Sequence, residues 1–387
     1  MARISGFEIF AVDLPFKLSF KHSAAERVTS SSIFLKCTTD SGDSGFGECL
    51  PREYVTGESQ EGVFSMLLDD ILPRLIDKEF QSMHDVQDFL WNCDGKTPGW
   101  IDQSTPQTTA WCALDLALLD AFGKYFGNQI LESERLSPPP EFRYSGVLSA
   151  DKGLALAKSA LKQRLFGIGQ IKLKVSGTDD IAVVKFLQRL LGKRIDLRVD
   201  ANMGWSYEEA MEAIKGMAEC GVQSYEQPLA AEDLDSMTRL VSQSGVRIMA
   251  DESFRDRASL EQLIRQRACT GVNVRISKCG GLVASFKRAQ EALSAGLNVQ
   301  LGCQVGESSL LSAAQLILAA CVQPVQYFEG CFGLHLLRED PSVPILQFGY
   351  GGKPPKLDGR PGLGVQVNET ALDRWVTRSA TIGSPAN

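Results

Sequence analysis

The sequence predicts an α/β protein, a modified (β/α)8 TIM barrel carrying an α+β capping domain. Three observations lead there. From about residue 129 short apolar runs alternate with helix-length segments. Each run ends in a polar or charged residue, at a nearly constant interval. Ahead of them the chain reads differently, as strands followed by helices.

Residues 1–128 contain the strand candidates ISGFEIFAVDLPF and SSIFLKCTTDSGDSGFGE. Helical periodicity follows from Glu61 to Phe126, around FSMLLDDILPRLI and TTAWCALDLALLDAFGKYFG. The stretch ESERLSPPPEF reads as a linker. Beyond it the run-ending residues are Lys174, Asp200, Glu226, Asp251, Lys278, Gln304 and Glu329, separated by 26, 26, 25, 27, 26 and 25 residues. One further step back lands on YSGVL, an eighth strand. An open doubly wound sheet would place ligands at one switch point, whereas a barrel brings polar residues together at the C-terminal ends of all its strands. The expected domains are 1–128, completed by the tail 350–387, and the barrel 129–349.

Composition excludes several function classes. The 387 residues include 40 basic and 47 acidic side chains, a net charge of -7 without a strongly basic run, which argues against nucleic-acid binding. No apolar window is long enough to span a membrane and no signal-peptide pattern opens the chain, so a cytoplasmic protein is expected. Ten cysteines without C-x-x-C spacing read as reduced, buried thiols. Three histidines rule out H-E-x-x-H zinc chemistry, and neither a P-loop nor a dinucleotide fingerprint is present.

Asp200, Glu226 and Asp251 end three consecutive strands, so their carboxylates should converge and repel one another unless a cation joins them. Oxygen ligands favour a hard ion, Mg2+, with Mn2+ as the alternative. Lys174 and Lys278 should face each other across the barrel. Beside a metal, they suit proton removal next to a carboxylate: one lysine takes the proton, and the other returns it or supplies positive charge. Lys172 shares a strand face with Lys174 and should lower its pKa by like-charge repulsion.

The motifs IKLKV (Lys172, Lys174), RVDANMGW (Asp200, Asn202), YEQPL (Glu226), MADES (Asp251, Glu252), RISKCGG (Lys278) and PGLGV resemble those of the enolase superfamily, in the branch of muconate-lactonising enzymes, dipeptide epimerases and N-acylamino acid racemases. The resemblance implies enediolate chemistry on a small carboxylate substrate, with Asn202 and Glu252 supporting the metal ligands, and a homo-oligomer. It also implies capping loops that select substrates. Arg52, in GECLPREYVTGES, is then a partner for a substrate carboxylate, and Lys21 and His22 fall in a second specificity loop. Where dipeptide epimerases carry a D-x-D pair, this chain has YFEG, so Glu329 is expected to meet a substrate amine, with Gln304 also lining the substrate. Racemase or epimerase action on a dipeptide or amino-acid derivative is the leading expectation; cycloisomerase or syn-dehydratase is the alternative.

Overall fold

The computed structural model describes the backbone of residues 1–22, 25–128, 130, 142–149, 153–192, 194–357 and 359–384 and, outside 18–27, their side chains. The linker expected over residues 132–142 lies outside the described residues except for Phe142. The chain opens with two long antiparallel strands, β1 (Ala2–His22) and β2 (Ala25–Thr39), followed by β3 (Ser44–Cys49) on β2 and β4 (Glu79–Phe80) on β1. The periodic stretch from Glu61 is not one helix. A helix over Gln60–Ser65 widens into a π-helical turn at Met66–Ile71 and stops at Leu72–Arg74, where Pro73 lacks the N–H that continuation needs. Helices Met83–Cys93 and Thr108–Phe126 follow.

The barrel consists of eight parallel strands: β5 (Gly146–Leu148), β6 (Gln170–Lys174), β7 (Asp196–Asp200), β8 (Ser224–Glu226), β9 (Arg247–Ala250), β10 (Gly271–Val274), β11 (Asn298–Leu301) and β12 (Tyr327–Phe328). Each pairs with its chain neighbour, and the ring closes where Tyr144, just ahead of β5, bridges Phe328 in β12. A small hairpin, β13 (Ser342–Val343) with β14 (Gln366–Val367), comes next. The last strand, β15 (Val376–Gly383), returns to the first sheet and runs antiparallel to β1, from Gly6↔Gly383 to Val12↔Val376. The ten cysteines are all free thiols. Among the described residues no helix is long and apolar enough to cross a membrane.

The helix Thr108–Phe126 is apolar around most of its circumference because it is covered on every side, lying between the first sheet and the barrel helices. Its two aspartates bind main-chain donors of distant segments. Asp115 accepts from Leu282 N (2.7 Å), and Asp120 accepts from Phe46 N and Leu363 N (both 2.9 Å). Glu48 of β3 likewise accepts from Ser308 N at 3.1 Å, at the start of the helix Ser309–Cys321. Backbone approaches backbone closely here: a Cβ on Gly47 would stand 1.9 Å from Ala113 O. Gly47→Ala should therefore push strand and helix apart and destabilise the protein by about 3 kcal/mol, at the upper end for overpacking; chemical denaturation would detect this, and an unchanged midpoint would refute the close approach.

Candidate active site

Side chains two residues apart on a strand share a face, and the register of the barrel carries that rule from strand to strand. Lys174 lies opposite Asp200, Asp200 opposite Glu226, and Glu226 opposite Met249, two residues before Asp251. Met249 pairs with Gly271, so Asn273 and Arg275 continue the inward set. Lys172, Arg198 and Gln300 lie one step deeper on their strands and also point inward.

This register corrects two sequence expectations. The inward residue that ends the sixth strand is Arg275, not Lys278. Lys278 lies in the helical turn Ile276–Cys279, where its fully buried ammonium donates to Asp251 O and Asp251 Oδ1, both at 2.8 Å, and sits 5.0 Å from the Phe254 ring centroid. On the seventh strand Val274 pairs with Leu301, so the residue level with Arg275 is Gly302; Gln304 lies beyond, in the loop. A constant spacing finds strand ends to within about one turn but not the phase. The alternation did carry that phase: Val272, Val274 and Ile276 face outward, leaving Asn273 and Arg275 inside. Arg198 was missed for the same reason, although DLRVD places it on the face of Asp200.

Glu226 is the hub. Its carboxylate accepts from Asn273 Nδ2 (2.9 Å), Gln300 Nε2 (3.1 Å), Arg198 Nη1 (3.3 Å) and Lys172 Nζ (3.3 Å), with Arg275 Nη2 at 3.7 Å. Burial alone would raise its pKa, but Lys172, Arg198 and Arg275 outweigh that and hold it well below the usual carboxylate range. Burial pushes Asp200 up, as do Glu226 and Asp251, against the pull of Lys172 and Lys174. Lys172 stays firmly protonated despite its burial, held by Glu226, Glu329 and Asp200. Lys174 differs: burial lowers its pKa and Lys172 and Arg275 lower it further, while Asp200 opposes them. Lys172 thus depresses Lys174 as the spacing suggests, but desolvation is the larger cause.

The remaining candidates fall in different places. Glu329 is not poised for a substrate amine: its carboxylate lies 2.8 Å from Lys172 Nζ and forms an ion pair with Arg198, and only 4 % of the residue is exposed. Arg52 is tied to main-chain carbonyls of Ser31 (2.8 Å), Pro51 (2.7 Å) and Val305 (3.1 Å), so it stitches the first sheet to the loop after the seventh strand instead of reaching for a substrate carboxylate. The Gln304 side chain is buried and accepts from Arg275 Nη1 at 3.2 Å. Lys21 and His22 lie at the tip of the β1–β2 hairpin, and their side chains are outside the described residues. Asn202 donates its N–H to Asp200 Oδ1 (3.1 Å) and its amide to Glu252 Oε1 (3.5 Å).

The donor set fits a hard divalent cation. Asp200, Glu226 and Asp251 end adjacent strands and offer only oxygen, and beside them Glu252 Oε2 is buried with no hydrogen-bond partner. Burial, followed by the charges of Asp251 and Asp200, raises Glu252 to about 8, the response of a carboxylate pressed against others of its sign. Among the described residues no three carboxylates are drawn around one point. Arg275 stands between Asp251 and Glu226, bonded to the first and near the second.

Two family descriptions match the chain: "Mandelate racemase / muconate lactonizing enzyme, N-terminal domain" over residues 6–132, and "Enolase C-terminal domain-like" over residues 155–371. N-succinyl-L-Arg/Lys racemase of Bacillus cereus is 28% identical over 382 residues, 96% of this chain and 97% of the relative. Its crystal structure superposes with a TM-score of 0.87 at 27% identity, covering 98% of this chain and 100% of that one. L-Ala-D/L-Glu epimerase of Bacillus subtilis is 28% identical over 376 residues, 94% of this chain and 96% of the relative.

The position of Glu329 leads to a stability prediction. Glu329→Gln would leave Lys172 and Arg198 short of a buried counter-charge, a loss of about 3–5 kcal/mol when one partner of such a pair is removed. Urea denaturation should show it in the absence of any substrate; a midpoint equal to that of the parent would return Glu329 to the substrate site.

Proposed function

The chain belongs to the mandelate racemase/muconate lactonizing enzyme family of the enolase superfamily, and on that premise we propose that it is an isomerase that removes the proton alpha to a carboxylate, acting as a racemase or epimerase on a dipeptide or N-acylated amino acid. The observation that carries this reading is Lys174, an amine at the C-terminal end of its strand, level with Asp200 and pulled below the ordinary lysine pKa mainly by burial. A fraction of it is therefore neutral and able to accept a proton. Lys174 takes the α proton, the electron pair of the C–H bond moves into the carboxylate as an enediolate, and reprotonation completes the isomerisation. Lys172, locked as an ammonium by three carboxylates, supplies fixed positive charge. Asp200, Glu226 and Asp251 would hold Mg2+, or Mn2+ in its place, whose charge stabilises the enediolate when bound.

One observation favours a second reading. The group across the ring from Lys174 is a guanidinium, which donates hydrogen bonds but does not give up its proton. Inversion needs a proton carrier on each face of the enediolate; cycloisomerisation and syn-elimination need only one.

Both readings are tested by deuterium uptake in D2O from paired enantiomers of dipeptides and N-acylated amino acids, followed by mass spectrometry. Exchange should vanish on EDTA treatment and return with Mg2+, and Lys174→Ala should slow it by about 10²–10⁴-fold. Wild-type exchange from both enantiomers supports the racemase or epimerase. Exchange from only one, extended to both by Arg275→Lys, supports the one-sided reaction. Exchange that survives exhaustive chelation, or the loss of Lys174, refutes the mechanism.

A further inference from the structure

Lys172, Arg198, Arg275 and Lys278 form ion pairs with the carboxylates around the strand ends, and they are held very differently: Lys278 is fully buried and also donates to Asp251 O at 2.8 Å. Lys172 is anchored on its far side by Glu329 at 2.8 Å. Arg198 is anchored by Glu329 and by Gln300 Oε1 at 2.9 Å, and its guanidinium also lies 4.5 Å from the Tyr327 ring centroid. Arg275 reaches in from the opposite side of the barrel. Among the described residues it alone contacts both Asp251 and Glu226. Among the described residues the one other hydrogen-bond partner of its side chain is the neutral amide oxygen of Gln304, and its Nε is buried with no partner.

We propose that Arg275 is a displaceable resident cation: its guanidinium and the divalent ion compete for Asp251 and Glu226, so metal loading is coupled to a swing of this one side chain toward the seventh-strand loop. The inference rests on the metal-binding reading above. Like charges cannot share one pair of carboxylates in a desolvated site without a large repulsion, so one of them must leave. Lys172 and Arg198 cannot leave without abandoning Glu329. Arg275 has somewhere to go. The Gln304 amide oxygen already accepts from its Nη1. Glu307, three residues on, is a buried acid that accepts from Gln304 N at 2.6 Å; burial raises it to about 8, and the Gln304 hydrogen bond and the charge of Arg275 pull the other way, so an approaching guanidinium favours its ionised form. An arginine that leaves the metal ligands therefore moves toward a second carboxylate and not into an apolar wall.

The test is equilibrium Mn2+ binding by electron paramagnetic resonance without substrate, so that turnover plays no part. Arg275→Met should bind Mn2+ at least about tenfold more tightly than the wild type, since the competitor is gone. Arg275→Lys, which keeps the charge, should stay near the wild-type affinity. In metal-free buffer Arg275→Met should melt below the wild type, and saturating Mn2+ should close the gap. If Arg275→Met does not fold, Arg275→Gln, neutral but still a donor to Gln304, takes its place in the comparison. Equal or weaker Mn2+ binding by the neutral variants, with normal binding by the wild type, overturns the competition alone. Failure of wild type and variants alike to bind Mn2+ overturns the metal reading and the competition together.

Discussion

Charge balance inside the barrel is the constraint on which the rest of the structure depends. Asp200, Glu226, Asp251, Glu252 and Glu329 meet Lys172, Lys174, Arg198, Arg275 and Lys278 in a space largely closed to water. A buried ion of either sign is tolerated only when opposite charge and hydrogen bonds surround it. The barrel supplies these in layers: Lys172, Arg198, Asn273 and Gln300 form a donor floor beneath Glu226, and Lys174 and Asp200 stand at the strand ends above it. Glu226 is held well below the usual carboxylate range by the cations of the floor, and Lys172 well above the usual lysine range by its three carboxylates, whereas burial lowers Lys174.

The same economy of charge joins the two sheets. Carboxylates of the first 120 residues reach main-chain N–H groups at the starts of barrel helices, Glu48 at Ser308 and Asp115 at Leu282. The exposed donors of a helix N-terminus and a buried acid satisfy each other. In return Arg52 binds the Val305 carbonyl in the loop after the seventh strand, next to Gln304, which accepts from Arg275 and donates its N–H to Glu307. The first sheet is thus bonded directly to a loop that borders the candidate site, and a shift of either is felt by the other.

Much of this was legible in the sequence. Regular spacing revealed the eight strands, and the i, i+2 rule placed Lys172 with Lys174 on one face. Applied to DLRVD and NVRIS as well, it would have found Arg198 and Arg275. A ruler measures distance along the chain, whereas a pleated strand cares about parity, and Lys278 lies past the strand, in the turn Ile276–Cys279 from which it reaches Asp251. The commitments of Arg52 and Glu329 were not legible. Their partners, Ser31, Val305, Lys172 and Arg198, come from segments far away in the chain, and only the closed fold brings them together.

The pairing of β15 with β1 carries a consequence for how the molecule is made. Gly6 finds Gly383 across the whole barrel sequence, a contact of very high order, and closing so long a loop costs entropy before any reward arrives. During synthesis the barrel strands emerge and can curl up while one flank of β1 still lacks its neighbour. That unpaired flank, with main-chain donors and acceptors facing outward, is the kind of edge on which chains join one another. The first sheet is thus built from strands on both sides of the barrel sequence, and the flank of β1 is covered only once β15 is in place.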